Sequence, residues 1–166
     1  MMKTLILTRH AKSDWHNLHL LDFDRPLNPR GLRDATEMGR RLHERKIKLD
    51  VLVSSTAKRA AQTTQLIAEA MHYPVDAIVW LDHLYHASPK AIQSVIFDLE
   101  NTIDTAMIVC HNPGISEFVY QTLGHVIGDM PTCAMAGISF QTTRWEDYPL
   151  SSTTLSFYDF PKKGGE

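Results

Sequence analysis

Six short apolar runs, four of them followed by a stretch with helical periodicity, set the tightest limit on how this chain can fold. Residues 4–8 (Thr-Leu-Ile-Leu-Thr) and 50–54 (Asp-Val-Leu-Val-Ser) are too short for helices and read as strands buried on both faces. Residues 76–81, 105–110, 137–142 and 154–160 predict four more strands. Between the first two, Asn28-Pro29 supplies an N-cap with proline at the first helical position. Leu32, Ala35, Met38 and Leu42 then recur at helical spacing, which predicts a helix running to about residue 46. A second helix, capped by Ser55 or Thr56, places Ala60, Thr63, Ile67, Ala70 and Met71 on one face. Ser88-Pro89 opens a third with Ile92, Val95, Ile96 and Leu99 inward, and Pro113-Gly114 starts a fourth that ends near residue 123. Strand alternating with helix predicts an α/β fold: a three-layer α/β/α sandwich around a mostly parallel central sheet. No linker or repeat divides the chain, so one domain is expected over residues 1–161, with a frayed tail over 162–166.

At 166 residues the chain is long enough to bury roughly 70% of its unfolded surface around one core, without disulfides or a structural metal. Cys110 and Cys133 form no CxxC pair and read as free thiols in a reducing compartment. A net charge of −2, with Lys and Arg scattered, argues against a nucleic-acid footprint. The apolar run after Lys3 stops at Arg9, too early for a signal segment, and no 18-residue apolar span occurs, so a cytoplasmic protein without membrane contact is expected. The chain is rich in histidine, with nine, and their placement carries more than their number.

In open parallel sheets, ligands bind beyond the carboxyl ends of the strands. The first strand ends in Arg9-His10, the second in Ser54-Ser55 with Arg59 one turn into the next helix, the third in Asp82-His83 and the fourth in His111-Asn112. Any one histidine after a strand is ordinarily a loop residue. Two arginines and two histidines brought to one edge are different, because guanidinium forks match phosphate oxygens bidentately and stay charged. Positive neighbours also lower a histidine's pKa, leaving a neutral ring nitrogen able to attack phosphorus. Phosphate or another oxyanion is therefore the expected occupant.

Three segments then resemble one family: Arg9-His10, Arg59 within Ser-Thr-Ala-Lys-Arg-Ala-Ala-Gln-Thr at 55–63, and His111 within Val-Cys-His-Asn-Pro at 109–113 resemble the histidine phosphatase superfamily, which includes phosphoglycerate mutases. Arg9-His10-Ala11-Lys12-Ser13, Asp24-Arg25-Pro26-Leu27 with Gly31, and Leu84-Tyr85-His86-Ala87 look most similar to its SixA-type phosphohistidine phosphatases. The resemblance implies a phosphoglycerate mutase-like fold and no cofactor or metal. It implies His10 as nucleophile, Arg9 and Arg59 as phosphate clamps, and His111 as a donor to the phosphoryl oxygens. The implied partner is a histidine-phosphorylated protein such as a phosphotransfer domain. Ser13, in the loop beside the nucleophile, is a further candidate for touching phosphate, as is Lys12.

Three positions depart from the mutase-like pattern. Ala11 replaces a glycine, His16 an asparagine, and Leu81-Asp82-His83-Leu84 stands where a glutamate serves as general acid, so His83 or Asp82 is the candidate acid, or neither. An alkoxide needs a proton to leave. Imidazole, whose conjugate acid has a pKa near ~6.5, leaves phosphohistidine readily at neutral pH, and phenols near ~10 lie between. A weakened acid position thus favours P–N substrates. A broad phosphomonoesterase and a non-catalytic phosphate-binding adaptor are the competing readings. A metal site is the least expected use of the histidines, since no carboxylate or thiolate accompanies them at ligand spacing.

Bland roles are expected elsewhere. Asp22, Asp24 and Arg25 read as a surface ion pair and turn; His19, His43, His72 and His125 read as exposed; His86 stays open. Cys110 reads as core, and Trp15, Trp80 and Trp145 as core or loop anchors, with Trp15 able to line a pocket mouth.

Overall fold

The structure, a computed structural model, describes residues 1–124 and 127–163. His125 and most of the expected tail, residues 164–166, lie outside the described residues. In chain order the elements are β1 (Lys3–Arg9), α1 (Pro29–Glu44), β2 (Val51–Ser55), α2 (Lys58–Met71), β3 (Val79–Leu81), α3 (Pro89–Phe97), β4 (Thr105–Cys110), α4 (Gly114–Leu123), β5 (Met135–Phe140) and β6 (Thr153–Asp159). The six strands form one sheet in the order β3-β2-β4-β1-β5-β6. The first four of that order are mutually parallel; β5 pairs antiparallel with both β1 and β6.

Handedness assigns the helices to their layers. The steps β1 to β2 and β2 to β3 run one way across the sheet and β3 to β4 runs back, so right-handed crossovers place α1 and α2 on one face and α3 on the other. Alternation along the strands completes the three layers. Ile6, Leu52, Met107 and Val109 pack with Ala35, Met38, Leu42, Ala60 and Ile67 of α1 and α2. Leu5, Leu7, Val53, Ala106 and Ile108 pack with Ile92, Ile96, Ile115 and Phe118 of α3 and α4, and the fully buried Trp145 joins that cluster.

The caps of α1 and α3 are those the sequence predicts: Asn28 accepts from the Gly31 N–H at 2.8 Å and Ser88 from the Ala91 N–H at 3.2 Å. Each such cap typically contributes about 1 kcal/mol. The start of α2 differs. Its N-cap is Ala57, with no side-chain cap, because β2 continues through Ser55, which pairs with Leu81. The third strand is also shorter than expected, since Val75–Ala77 forms a 3-10 turn after Pro74. On that edge Trp80 is exposed rather than core, whereas Trp145 is buried. Two glycines allow helices to press on loops. A Cβ at Gly31 would lie 2.1 Å from the Lys12 carbonyl oxygen, and one at Gly114 would lie 1.8 Å from that of Ala87.

Candidate active site

β1 and β4 are adjacent parallel strands, with Arg9 beside Cys110, yet the chain leaves β1 toward α1 on one face and leaves β4 toward α4 on the other. Such a divergence opens a crevice at the carboxyl ends of the strands. His10 and His111 are the first residues past those two ends, and their ring centroids stand 5.1 Å apart. With Arg9, Lys12, Ser13, Trp15, Asp22, Arg25, Arg59, His86, Asn112 and Thr132 they line a cavity of about 260 Å³.

The His10 ring is buried, with Nδ1 2.7 Å from the carbonyl oxygen of Ala11. A carbonyl only accepts, so Nδ1 carries the proton and Nε2 keeps a free lone pair. Burial pushes the His10 pKa down to about 4, and the guanidinium groups of Arg59, Arg9 and Arg25 add to that fall, while the Ala11 contact opposes it. At neutral pH the ring is therefore an uncharged base. His111 is also neutral: burial pushes its pKa down to about 2, with His10 and Arg59 acting in the same direction. Its Nε2 lies 2.8 Å from Ser55 Oγ, while its Nδ1 is buried and has no protein partner.

Arg59 donates through Nη1 to the Asp22 carbonyl oxygen at 2.7 Å and through Nη2 to Asp22 Oδ2 at 3.0 Å; Arg9 donates through Nη1 to the Met130 carbonyl at 2.8 Å. In both arginines Nε is buried without a partner. Buried polar atoms left unpaired are uncommon in folded proteins. Three of them, Arg9 Nε, Arg59 Nε and His111 Nδ1, belong to three residues lining one cavity.

The outer wall comes from residues 12–25. Arg25 is buried, bonds Ser13 Oγ at 2.8 Å and Asp22 Oδ1 at 3.1 Å, and stacks over Trp15 with its guanidinium carbon 3.4 Å from the ring centroid. Asp22 Oδ2 also accepts from the Tyr85 hydroxyl at 2.5 Å. That hydroxyl, followed by the Arg59 guanidinium, holds the Asp22 carboxyl well below the usual carboxylate range against the opposing effect of burial.

The model of the histidine phosphatase superfamily, branch 1, matches residues 5–82, which carry Arg9, His10 and Arg59. Over that segment the chain is similar to the histidine phosphatase superfamily. An uncharacterized protein of Mycobacterium leprae is 29% identical over 167 residues, 93% of this chain and 99% of its own. A chain from Agrobacterium tumefaciens, provisionally named the phosphohistidine phosphatase SixA, is 27% identical and superposes with a TM-score of 0.82 over 96% of this chain and 98% of its own. A second chain with that provisional name, from Nakamurella multipartitia, is 26% identical with a TM-score of 0.79, over 98% of each. The phosphoglycerate mutase-like fold expected from the sequence is the one observed.

Of the residues singled out from the sequence, Arg9, His10, Arg59, His111 and Ser13 come together around the cavity. Asp82 and His83 do not line it. Both are exposed in the 3-10 turn that follows β3, and Asp82 accepts from the Thr56 hydroxyl at 2.6 Å. His86 does line it, with its ring 3.9 Å from that of Tyr85. Asp22 and Arg25 are corrections to the surface reading: they form part of the wall. Their signal was the spacing of three residues in an otherwise irregular loop, which also suits an ordinary ion pair. Tyr85, through Asp22, and Ser55, through His111, were not singled out by chemistry. Among the described residues no three His, Cys, Asp or Glu side chains group as metal ligands, and no helix is long and apolar enough to cross a membrane.

Proposed function

We propose that the chain is a phosphatase for phosphohistidine carried on a protein partner, acting without a metal through a phosphoryl group held on His10. The observation that carries this reading is the buried, neutral His10, fixed through Nδ1 by Ala11 and with Nε2 free beside Arg9 and Arg59. Nε2 attacks phosphorus and the substrate P–N bond breaks. Its electron pair returns to the substrate ring, which departs as neutral imidazole when its other nitrogen is protonated. Water then attacks the phosphoryl group; the P–Nε2 bond breaks, and phosphate and a proton are released. Arg9, Arg59 and His111 supply preorganised donors for the charge on the oxygens throughout.

The proton inventory favours P–N over P–O substrates. Among the described residues Asp22 is the sole carboxylate lining the cavity, and it is held ionised, so it has no proton to give an alkoxide. An imidazole leaving group has little need of one. The rim suits a protein substrate, because a histidine side chain is short and the surface bearing it must rest on whatever surrounds the cavity. Here that surroundings includes the exposed Trp15, with Leu18 and Leu21 exposed in the same loop. The SixA-named neighbours support the same substrate class. Cytoplasmic location fits a partner of that kind and stays part of the proposal.

A second reading, a broad phosphomonoesterase, is favoured by one observation: His86 at the rim is an imidazole that could protonate an ester oxygen. Incubation with a histidine-phosphorylated phosphotransfer protein, next to a panel of phosphate esters, separates the two. Rapid dephosphorylation of the protein with acid-labile label passing through His10 is expected. Clear preference for one alcohol ester would overturn it in favour of the second reading, and binding of phosphate without turnover of any substrate would leave only the adaptor.

A further inference from the structure

Ser55 is the last residue of β2, fully buried, and its hydroxyl lies 2.8 Å from His111 Nε2. A serine hydroxyl has one hydrogen to donate and two lone pairs to accept with. One lone pair is occupied by the Ala57 N–H, whose nitrogen is 3.2 Å away. Among the described residues no other partner is within hydrogen-bond reach of Ser55 Oγ, so its hydrogen is satisfied only when His111 Nε2 is the acceptor. A neutral imidazole carries one proton. If Nε2 accepts from Ser55, that proton resides on Nδ1, the buried atom with no protein partner on a residue that lines the cavity.

We propose that Ser55 is a positioning residue that sets the His111 tautomer, keeping Nδ1 protonated as a donor for a phosphoryl oxygen. The proposal rests on the phosphatase reading only in naming the group that Nδ1–H meets. The opposite tautomer would leave the Ser55 hydrogen without an acceptor and turn a bare lone pair toward an anion. That arrangement keeps the His111–Ser55 contact with its direction reversed, but loses the hydrogen bond from Nδ1, orphans the buried hydroxyl hydrogen and adds repulsion at the point where negative charge resides. The local sequence explains why serine is needed. At the end of β2, where the residue pairs with Leu81 of β3, the side chain is fully buried and must be small, and it must also satisfy the Ala57 N–H at the start of the uncapped α2. Alanine meets the first demand only. Ser54, the neighbouring hydroxyl, is engaged elsewhere, donating to the Ser55 carbonyl and accepting from Thr64.

The test begins with the unaltered protein. Long-range ¹H–¹⁵N correlation spectra of ¹⁵N-histidine-labelled protein distinguish the two tautomers, and His111→Asn identifies the signals. His111 is expected as the Nδ1–H form; an Nε2–H signal would overturn the proposal without recourse to any variant. In Ser55→Ala the His111 signals should move to the Nε2–H form or to an exchange average. The kcat should fall about 10-fold to 100-fold with KM changed less than about threefold, the loss expected for one misaligned donor. Ser55→Thr, which keeps the hydroxyl, should restore the Nδ1–H signal. Retention of a pure Nδ1–H tautomer in Ser55→Ala would also overturn the proposal. Failure of the phosphatase reading shows separately, as absence of label on His10 while the tautomer signals stay as expected.

Discussion

The two walls of the cavity are built on opposite principles. The inner wall is hung on the ends of β1 and β4, where register fixes each backbone position and burial suppresses charge on both histidines. The outer wall is the loop of residues 12–25, where Arg25, Asp22 and Ser13 are held by one another and Trp15 faces solvent. The inner wall has its geometry imposed by the sheet, which suits bond-making. The outer wall has its geometry negotiated among side chains, which suits contact with a partner. If this division is right, substitutions on the inner wall should act on chemistry and those on the outer wall on substrate choice.

The largest effect is expected at His10. His10→Ala should lower turnover of every substrate by at least about 1,000-fold and abolish acid-labile labelling, with the circular dichroism spectrum unchanged. Full activity in that variant would remove the basis for the distinction. Next, Arg59→Ala should cost about 100-fold or more in kcat/KM, and Arg25→Ala about 10-fold. Equal losses would show that the outer arginine is as much a part of the chemistry as the inner one. His86→Ala should slow alcohol and aryl esters about 10-fold while changing phosphohistidine turnover less than about twofold; the same loss on both would end the leaving-group explanation. Trp15→Ala should raise KM for a phosphorylated protein by about 10-fold and leave a small phosphoramidate unaffected, as expected of an aromatic contact used only by a macromolecular substrate. A change on the small substrate would move Trp15 to the inner category.

The smallest effect concerns acid stability. The His10 pKa is lower in the folded state, near 4, than its ordinary 6.5, so between those values the unfolded chain binds more protons than the folded one. The stability contributed by the neutral ring is present above pH 6.5 and is lost as pH falls toward 4; His111 acts in the same direction. Urea midpoints measured across that window should fall with pH, and less steeply in His10→Ala. An unchanged slope would mean that burial does not hold the ring neutral.

The same division explains what could be read from the sequence. Strands β1, β2 and β4 and the caps Asn28 and Ser88 follow from local chemistry: apolar runs of strand length, and side chains that accept from the first turn. His10 and His111 were legible because they follow strands directly, and Arg9 because it ends one, so topology alone brings them to one edge. Arg59 was legible because it lies one turn into a helix that starts at that edge. The loop obeyed no such rule. Asp22 and Arg25 depend on Tyr85 and Arg59, which are 63 and 37 residues from Asp22 in sequence, and nothing in the spacing within the loop encodes that meeting. The candidate acids were misdirected by the same cause. Residues 82–84 turn away as a 3-10 segment, with Leu84 buried in the core and Asp82 accepting from Thr56, both contacts between elements rather than local preferences.

One consequence of the strand order concerns the order of assembly. β4 lies between β1 and β2, so the first two strands to be synthesised are not neighbours, and the gap between them closes only when a segment more than 100 residues after the chain start arrives. Pairing across such separations is slow to form, because the intervening chain must be ordered first. His10, Arg9 and Arg59 are thus already present on a growing chain that lacks His111 and has no crevice to hold them. Insertion of this one central strand joins β1 to β2 and brings His111 beside His10 in the same step, so the crevice between the two histidines cannot form before β4 has docked.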